Sequence, residues 1–156
     1  MLIRRAEPRD LADINRLLYQ VLEVHHKGRP DLFYGGVKKY TDEELLAIIA
    51  DDNTPVFVAE NEFGAITGYV FGIFQQHKDS HILTDIKTLY VDDLCVDETA
   101  RGQGVGRALY EFAVDFAKKS GCYNLTLNVW SCNESALRFY EKCGLLPQKI
   151  GMEKIL

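Results

Sequence analysis

Arg101-Gly102-Gln103-Gly104-Val105-Gly106 stands between an apolar segment, Lys87 to Val96, and the strongest helical pattern in the chain, in which Val105, Leu109, Phe112 and Phe116 recur every three to four residues. The succession reads as strand, glycine-rich turn and helix start. Glycines let main chain approach a ligand closely, and the unpaired N–H groups of a helix N-terminus, at the positive end of its dipole, form an anion site, most often for phosphate. A turn with incidental glycines is the alternative. Two phosphate loops fail on spacing: a Walker loop needs Lys-Ser/Thr where Arg107-Ala108 stand, and a dinucleotide fingerprint needs a third glycine at Arg107. Nucleotide hydrolysis and hydride transfer lose support accordingly.

Outward from this turn, Lys118 and Lys119 suit the last turn of a helix over Val105 to Ser120, and Gly121 supplies its stop. Leu125 to Trp130 predicts a strand, Glu134 to Lys142 a helix stopped by Gly144, and Pro147 to Leu156 one or two strands returning to the sheet. Upstream, Val56 to Glu60 and Ile66 to Phe74 are rich in β-branched and aromatic residues and flank Asn61-Glu62-Phe63-Gly64, a hairpin signature. Leu2 to Ala6 predicts a short strand. Asp10 is expected to cap a helix carrying Leu11, Ile14, Leu18, Val21 and Leu22 and fraying near His26. Thr41-Asp42-Glu43-Glu44 is a capping box for a second helix with Leu45, Leu46, Ile48 and Ile49. The order β-α-α-β-β-β-α-β-α-β is a mixed α/β arrangement, expected as one domain over residues 1–156.

With 156 residues, 47% of them hydrophobic and 26% charged, the chain has material for one sizeable core. Eighteen Lys and Arg against 23 Asp and Glu leave a net charge of -5, which disfavours nucleic acid or an anionic membrane surface as partner and attracts cations. Cys95, Cys122, Cys132 and Cys143 form no C-x-x-C pair and read as reduced thiols, and no metal is expected. No apolar run approaches the roughly 18 to 20 residues of a membrane span, and a cytoplasmic location is expected.

The glycine-rich turn, as Arg101-x-x-Gly104-x-Gly106 after the strand Tyr90 to Val96, resembles the R/Q-x-x-G-x-G/A loop of the GNAT acyltransferases. Downstream, Asn133-Glu134-Ser135-Ala136 and Phe139-Tyr140-Glu141-Lys142-Cys143-Gly144-Leu145 resemble that family's second signature, N-x-x-A-x-x-[FL]-Y-x-x-x-G-[FL], with Leu145 at the final aromatic position. The resemblance covers essentially the whole chain. It implies a central mixed, mostly antiparallel sheet with splayed central strands and helices on both faces. It implies acetyl-CoA as acyl donor, lying where Leu89 to Val96 and Leu125 to Trp130 separate. Backbone groups of Leu94, Cys95 and Val96 would pair with the pantetheine arm, while amides from Arg101 through Gly102, Gln103, Gly104, Val105 and Gly106 hold the pyrophosphate. Asn133 and Ala136 would lie near coenzyme A, with Arg107 either facing the phosphates or solvated on its helix. A homodimer is common among resembling proteins.

The same resemblance gives Tyr140 the role of protonating the departing coenzyme A sulfur; a core aromatic is the structural alternative. A primary amine of pKa about 10.4 is protonated at pH 7, and freeing it costs about 3.4 pK units, or roughly 4.6 kcal/mol. A carboxylate beside the thioester would bind the ammonium and accept its proton. Asp92 is expected first and Asp93 second, because adjacent strand residues face opposite ways unless a bulge intervenes and Asp92 shares parity with Leu94 and Val96. The strand is similar to that of spermidine/spermine N-acetyltransferases, where paired acids serve polyamine binding. Surface or capping roles for both are the alternative. Cys95 is expected to pack in the core or touch the cofactor rather than act as a nucleophile, having no base assigned to it. The adjacent His25 and His26 point apart on a helix, and His77 and His81 lie in a polar loop. The reading is an N-acetyltransferase acting on a small-molecule amine, polyamine or aminoglycoside in type, by direct attack in a ternary complex. A protein N-terminal or lysine acetyltransferase, or a noncatalytic acyl-CoA sensor, is the rival.

Overall fold

Strands alternate between two hydrophobic faces here, and each face has its own helical cover. The computed structural model describes residues 1–156. Five strands, β1 (Leu2–Arg5), β2 (Val56–Glu60), β3 (Ile66–Gln76), β4 (Lys87–Val96) and β5 (Asn124–Leu127), form one sheet in the order β1-β2-β3-β4-β5. All neighbours are antiparallel except β4 and β5, which run parallel. One layer is α1 (Leu11–Gly28) with α2 (Asp42–Ala50), whose Ile14, Leu17, Leu18, Leu45 and Ile49 bury against Val56, Val58, Tyr69, Phe71 and Cys95. The other is α3 (Val105–Lys119), whose Val105, Leu109, Ala113 and Ala117 bury against Phe57, Ala59, Val70, Leu89 and Val91. Gly68 allows this contact: a Cβ there would lie 2.9 Å from Leu109 Cδ1 and 2.8 Å from the Cys95 carbonyl oxygen. The last helix, α4 (Glu134–Lys142), buries no residue fully.

Two irregularities shape the middle of the sheet. Phe71 of β3 faces Asp93 while its neighbour Gly72 faces Val91, so Asp92 is an extra residue on β4, a β-bulge. The bulge inverts parity: Leu89 and Val91 share the α3 layer with Leu94 and Val96, while Cys95 faces α1. Second, β4 and β5 pair only from Thr88 opposite Asn124 to Val91 opposite Leu127. From Asp92 to Val96, β4 has β3 on one side and no strand on the other.

Three expectations are corrected. The strand placed at Leu125 to Trp130 runs from Asn124 to Leu127, because its parallel ladder ends where the bulge begins; Trp130 turns away to pack edge-on against Phe33, ring centroids 5.2 Å apart. Residues 147–156 form no strand, so the element order ends in a helix. Asp10 does not cap α1 with its side chain. Its carboxylate accepts from both terminal nitrogens of Arg4 at 2.7 and 2.8 Å and from the Glu7 amide at 2.8 Å, which ties β1 to the turn before α1.

Candidate active site

The turn from Arg101 to Gly106 follows a short 3-10 segment, Glu98–Ala100, fixed by Asp97. The Asp97 carboxylate accepts from the Thr99 amide at 3.0 Å and hydroxyl at 2.7 Å and pairs with Arg16 of α1. Gly102 and Gly104 sit at φ +77° and +82°, a left-handed conformation that side chains resist, and a Cβ at either would meet open space. Their role is therefore to turn the chain, with room left above it. The first main-chain bond into α3 is from the Ala108 amide to the Gly104 carbonyl at 3.0 Å. The amides of Val105, Gly106 and Arg107 therefore stay free at the positive end of the helix. Gly106 packs beneath them: a Cβ there would lie 3.3 Å from Val96 and 3.6 Å from Phe139. Arg101 donates to the Val96 carbonyl at 3.4 Å, Gln103 to the Thr99 carbonyl at 3.1 Å, and exposed Arg107 pairs with Glu111 one turn on, at 2.8 Å. The turn thus opens beside the unpaired edge of Leu94, Cys95 and Val96, an arrangement that fits a diphosphate joined to an extended, amide-bearing arm.

On the α1 side of β4 the bulge brings two carboxylates into one cluster. Asp92 accepts from Lys39 Nζ at 2.9 Å and from the Tyr40 hydroxyl at 3.2 Å. Asp93 accepts from the Tyr69 hydroxyl at 2.9 Å. Tyr40 stacks on Phe71 and Tyr69 meets Phe71 edge-on, so one phenyl ring braces both phenols. Burial pushes the Asp93 carboxyl up to about 6, and the Asp92 charge adds to it, against the opposing influence of Lys39 and the Tyr69 hydrogen bond. Lys39 moves the other way: burial lowers it, but the Asp92 contact and the Asp93 charge hold it above the ordinary lysine value. His25, lowered by burial and by the Lys39 charge, packs its ring against Phe33, 5.1 Å between centroids, and Phe33 in turn meets Trp130. A Cβ at Gly28 would lie 2.7 Å from Cys132 Sγ, so the end of α1 abuts the segment between β5 and α4 and roofs the separation of β4 from β5.

Asn133 is the N-cap of α4, its Oδ1 accepting from the Ala136 amide at 3.2 Å. The cap brings Ala136 and Tyr140, one turn apart, into the partly covered side of α4. Burial, then the negative charge of Asp93, raises the Tyr140 phenol above its ordinary value, so it is protonated at neutral pH. It gives up that proton less readily than a free phenol. Cys95 is buried; burial and the Asp93 charge push its thiol up to about 12, and Sγ donates to the Leu17 carbonyl at 3.5 Å. It has the environment of a packing residue. His26 contacts the Phe33 carbonyl through Nδ1, and His77 and His81 are exposed. Lys39, Tyr40 and Tyr69 are site residues that the sequence reading did not single out. Nothing in Lys38-Lys39-Tyr40 marks it as a lining segment, because its place depends on how the loop after α1 crosses the sheet.

The family model described as Acetyltransferase (GNAT) family matches residues 18–145. A glucosamine 6-phosphate N-acetyltransferase of Arabidopsis thaliana is 37% identical over 118 residues, 76% of this chain and 69% of that protein. A peptidyl-lysine N-acetyltransferase of Escherichia coli is 36% identical over 90 residues, 58% of this chain and 48% of that one. Among solved structures, the tetramutant of the BH1408 protein from Bacillus halodurans superposes with a TM-score of 0.95 at 34% identity, over all of both chains.

Proposed function

The chain belongs to the acetyltransferase (GNAT) family, and from that premise we propose that it transfers an acetyl group from acetyl-CoA to a primary amine by direct attack within a ternary complex. One observation carries the acceptor side: a primary ammonium, that of Lys39, rests 2.9 Å from Asp92 on a cluster that also contains Asp93. The cluster therefore has the size and charge to receive an alkylammonium from a substrate, which would displace Lys39.

Each step has a group suited to it. The diphosphate of coenzyme A would rest on the free amides of Val105, Gly106 and Arg107, and the pantetheine arm would pair with the open edge at Leu94 to Val96, bringing the thioester to the acid cluster. Asp93, at about 6, is basic enough to accept a proton from an amine pressed into an apolar site and acidic enough to be ionised at pH 7. The freed nitrogen adds to the thioester carbon, the Leu94 region amides stabilise the oxyanion, and the carbon–sulfur bond breaks as Tyr140 gives its proton to the sulfur. The nitrogen gives up a second proton as the tetrahedral adduct collapses to the amide; the amide product and free coenzyme A leave, and of the two protons lost by the ammonium one replaces that given by Tyr140 while the other is released to solvent, which returns Asp93 to its ionised form.

The acid pair and net charge of -5 support a cationic acceptor of polyamine or aminoglycoside type. A second reading has its own support: Lys39 sits on the cluster, next in the chain to Lys38, which pairs with Asp42, and the Arabidopsis relative is named for an amino sugar phosphate, an acceptor whose anionic group would need such cations. Thiol release from acetyl-CoA across spermidine, an aminoglycoside, glucosamine 6-phosphate and a lysine peptide separates them. In the first reading Lys39→Met lowers the amine KM several-fold; in the second it raises it. Lines that converge in double-reciprocal plots support the ternary complex, whereas tight donor binding with no turnover on any amine overturns catalysis.

A further inference from the structure

The acid cluster already holds an amine of this chain. The Lys39 ammonium lies 2.9 Å from the Asp92 carboxylate and 5.2 Å from the centre of the Tyr40 ring, and the Asp93 charge acts on it as well. The same Asp93 charge reaches the Tyr140 phenol, so amine, base and acid share one neighbourhood. With 37% of the Lys39 side chain and 24% of that of Asp92 exposed, the pair faces outward rather than into a closed core. The lysines nearest to it in the fold have other anchors. Lys38 pairs with Asp42 of α2, and Lys87, at the start of β4, donates to the Ser120 carbonyl at 3.2 Å with its ammonium 4.1 Å from the centre of the Phe74 ring.

Under the function proposed above, a substrate amine must come to this cluster, and Lys39 is a primary alkylamine that is there beforehand. An amine seated at the reacting position loses no translational freedom on arrival, and proximity of this kind acts as a very high local concentration. Its own ion pair works against it, because the Asp92 contact keeps the proton on nitrogen. At the ordinary lysine value roughly one amine in a few thousand is free at pH 7, and Lys39 lies above that value. Attack by Lys39 is therefore slow, and a diffusible amine that displaces it from Asp92 outruns it.

We propose that Lys39 is a self-acetylation site: with acetyl-CoA bound and no substrate amine present, Lys39 Nζ takes the acetyl group itself. This rests on the transfer reading above. The ammonium gives a proton to Asp93, and the freed lone pair forms a bond to the thioester carbon. The carbon–sulfur bond then breaks, and the sulfur leaves as the coenzyme A thiol. The nitrogen keeps one hydrogen as an amide; of the two protons it sheds, one is matched by that on the sulfur and the other passes to solvent. The new amide carries no charge, so Asp92 loses its cation and keeps only the Tyr40 hydroxyl from the loop before α2. The reaction runs once per chain and changes the charge of the acceptor site by one unit.

The test uses the full chain, incubated with acetyl-CoA and no amine, then digested and mapped by mass spectrometry. Acetyl should appear on Lys39 at least tenfold faster than on Lys38, its neighbour in sequence, at a rate independent of protein concentration. Asp93→Asn should slow the labelling of Lys39 at least tenfold and leave that of Lys38 unchanged. Equal labelling of the two lysines, or labelling of Lys39 that ignores Asp93→Asn, means chemical acylation by the thioester and overturns the proposal. A rate proportional to protein concentration means transfer between copies and overturns it too. If Asp93→Asn does not fold, the comparison of Lys39 with Lys38 in the unaltered chain, repeated in urea where the preference should vanish, decides. Thiol release on the amine panel is followed with the same preparation. Turnover of an amine with Lys39 left unmodified overturns self-acetylation and leaves the transfer reading standing; no turnover of any amine with Lys39 unmodified overturns both.

Discussion

Asp93 has two opposed physical roles. Its carboxyl is pushed up to about 6 by burial, which suits a base near neutrality but burdens the fold. A carboxyl raised above its unfolded value of about 3.9 favours the folded state below that pH, and the advantage is lost as pH rises through 6; at pH 7 ionised Asp93 costs roughly 2 to 3 kcal/mol. Asp93→Asn should therefore raise stability at pH 7 by about 1 to 3 kcal/mol in urea unfolding while kcat/KM falls at least tenfold. It should also abolish the loss of activity expected of the unaltered enzyme as pH drops through 6. Tyr140→Phe should reduce turnover at least tenfold with little change in acetyl-CoA affinity by calorimetry; unchanged turnover would reduce Tyr140 to packing. At this scale the motif positions Gly104, Asn133 and Tyr140 were legible because their local geometry is set by near neighbours: a left-handed turn, a cap, and one helical turn from the cap. Lys39 was not, because its partner is 53 residues away on another element.

Among the elements, α3 was legible almost to the residue, since its apolar period, terminal lysines and flanking glycines agree. The bulge was not. Asp92 and Asp93 are chemically alike, and nothing in their order says that the ladder skips one of them, so the parity that ranked Asp92 with Leu94 and Val96 does not survive in the structure. The premature end of β5 was hidden for a related reason: Val129 and Trp130 favour strands by themselves, but pairing depends on β4 continuing alongside. The glycine turn offers a test at this scale. Gly104→Ala has room for its methyl group but not the backbone freedom, at φ +82°, and should destabilise by about 1 kcal/mol. Because the strain falls on the amides proposed to hold the donor, the KM for acetyl-CoA should rise more than that for the amine.

Across the whole molecule, helices on both faces of a mixed sheet are what the family resemblance implies, and a core layer is present on each face. The strand expected over residues 147–156 is absent because apolar residues there suit a strand, whereas pairing depends on a sheet edge that local sequence does not specify. The acidic side of the pH profile belongs here, since Asp97 joins α1 to the turn after β4. Burial pushes its carboxyl upward, but the two Thr99 bonds and the Arg16 charge prevail and hold it at about 2. A depressed carboxyl contributes stability above its unfolded value, lost as pH falls through 2, so about 2 kcal/mol should disappear between pH 4 and 2. With Asp93 acting in the opposite sense above pH 4, the urea midpoint should peak on the acid side of neutrality, and Asp93→Asn should flatten the descent from that peak toward pH 7.

The surplus residue at Asp92 makes this sheet intolerant of length changes at a single spot. Excising Asp92 would restore simple alternation, and everything from Lys87 to Val91 would rotate by half a turn, sending Leu89 and Val91 out of the layer that α3 seals. Homologous chains that gain or lose one codon there would have to rewrite the inside-outside pattern of the whole preceding strand to remain folded.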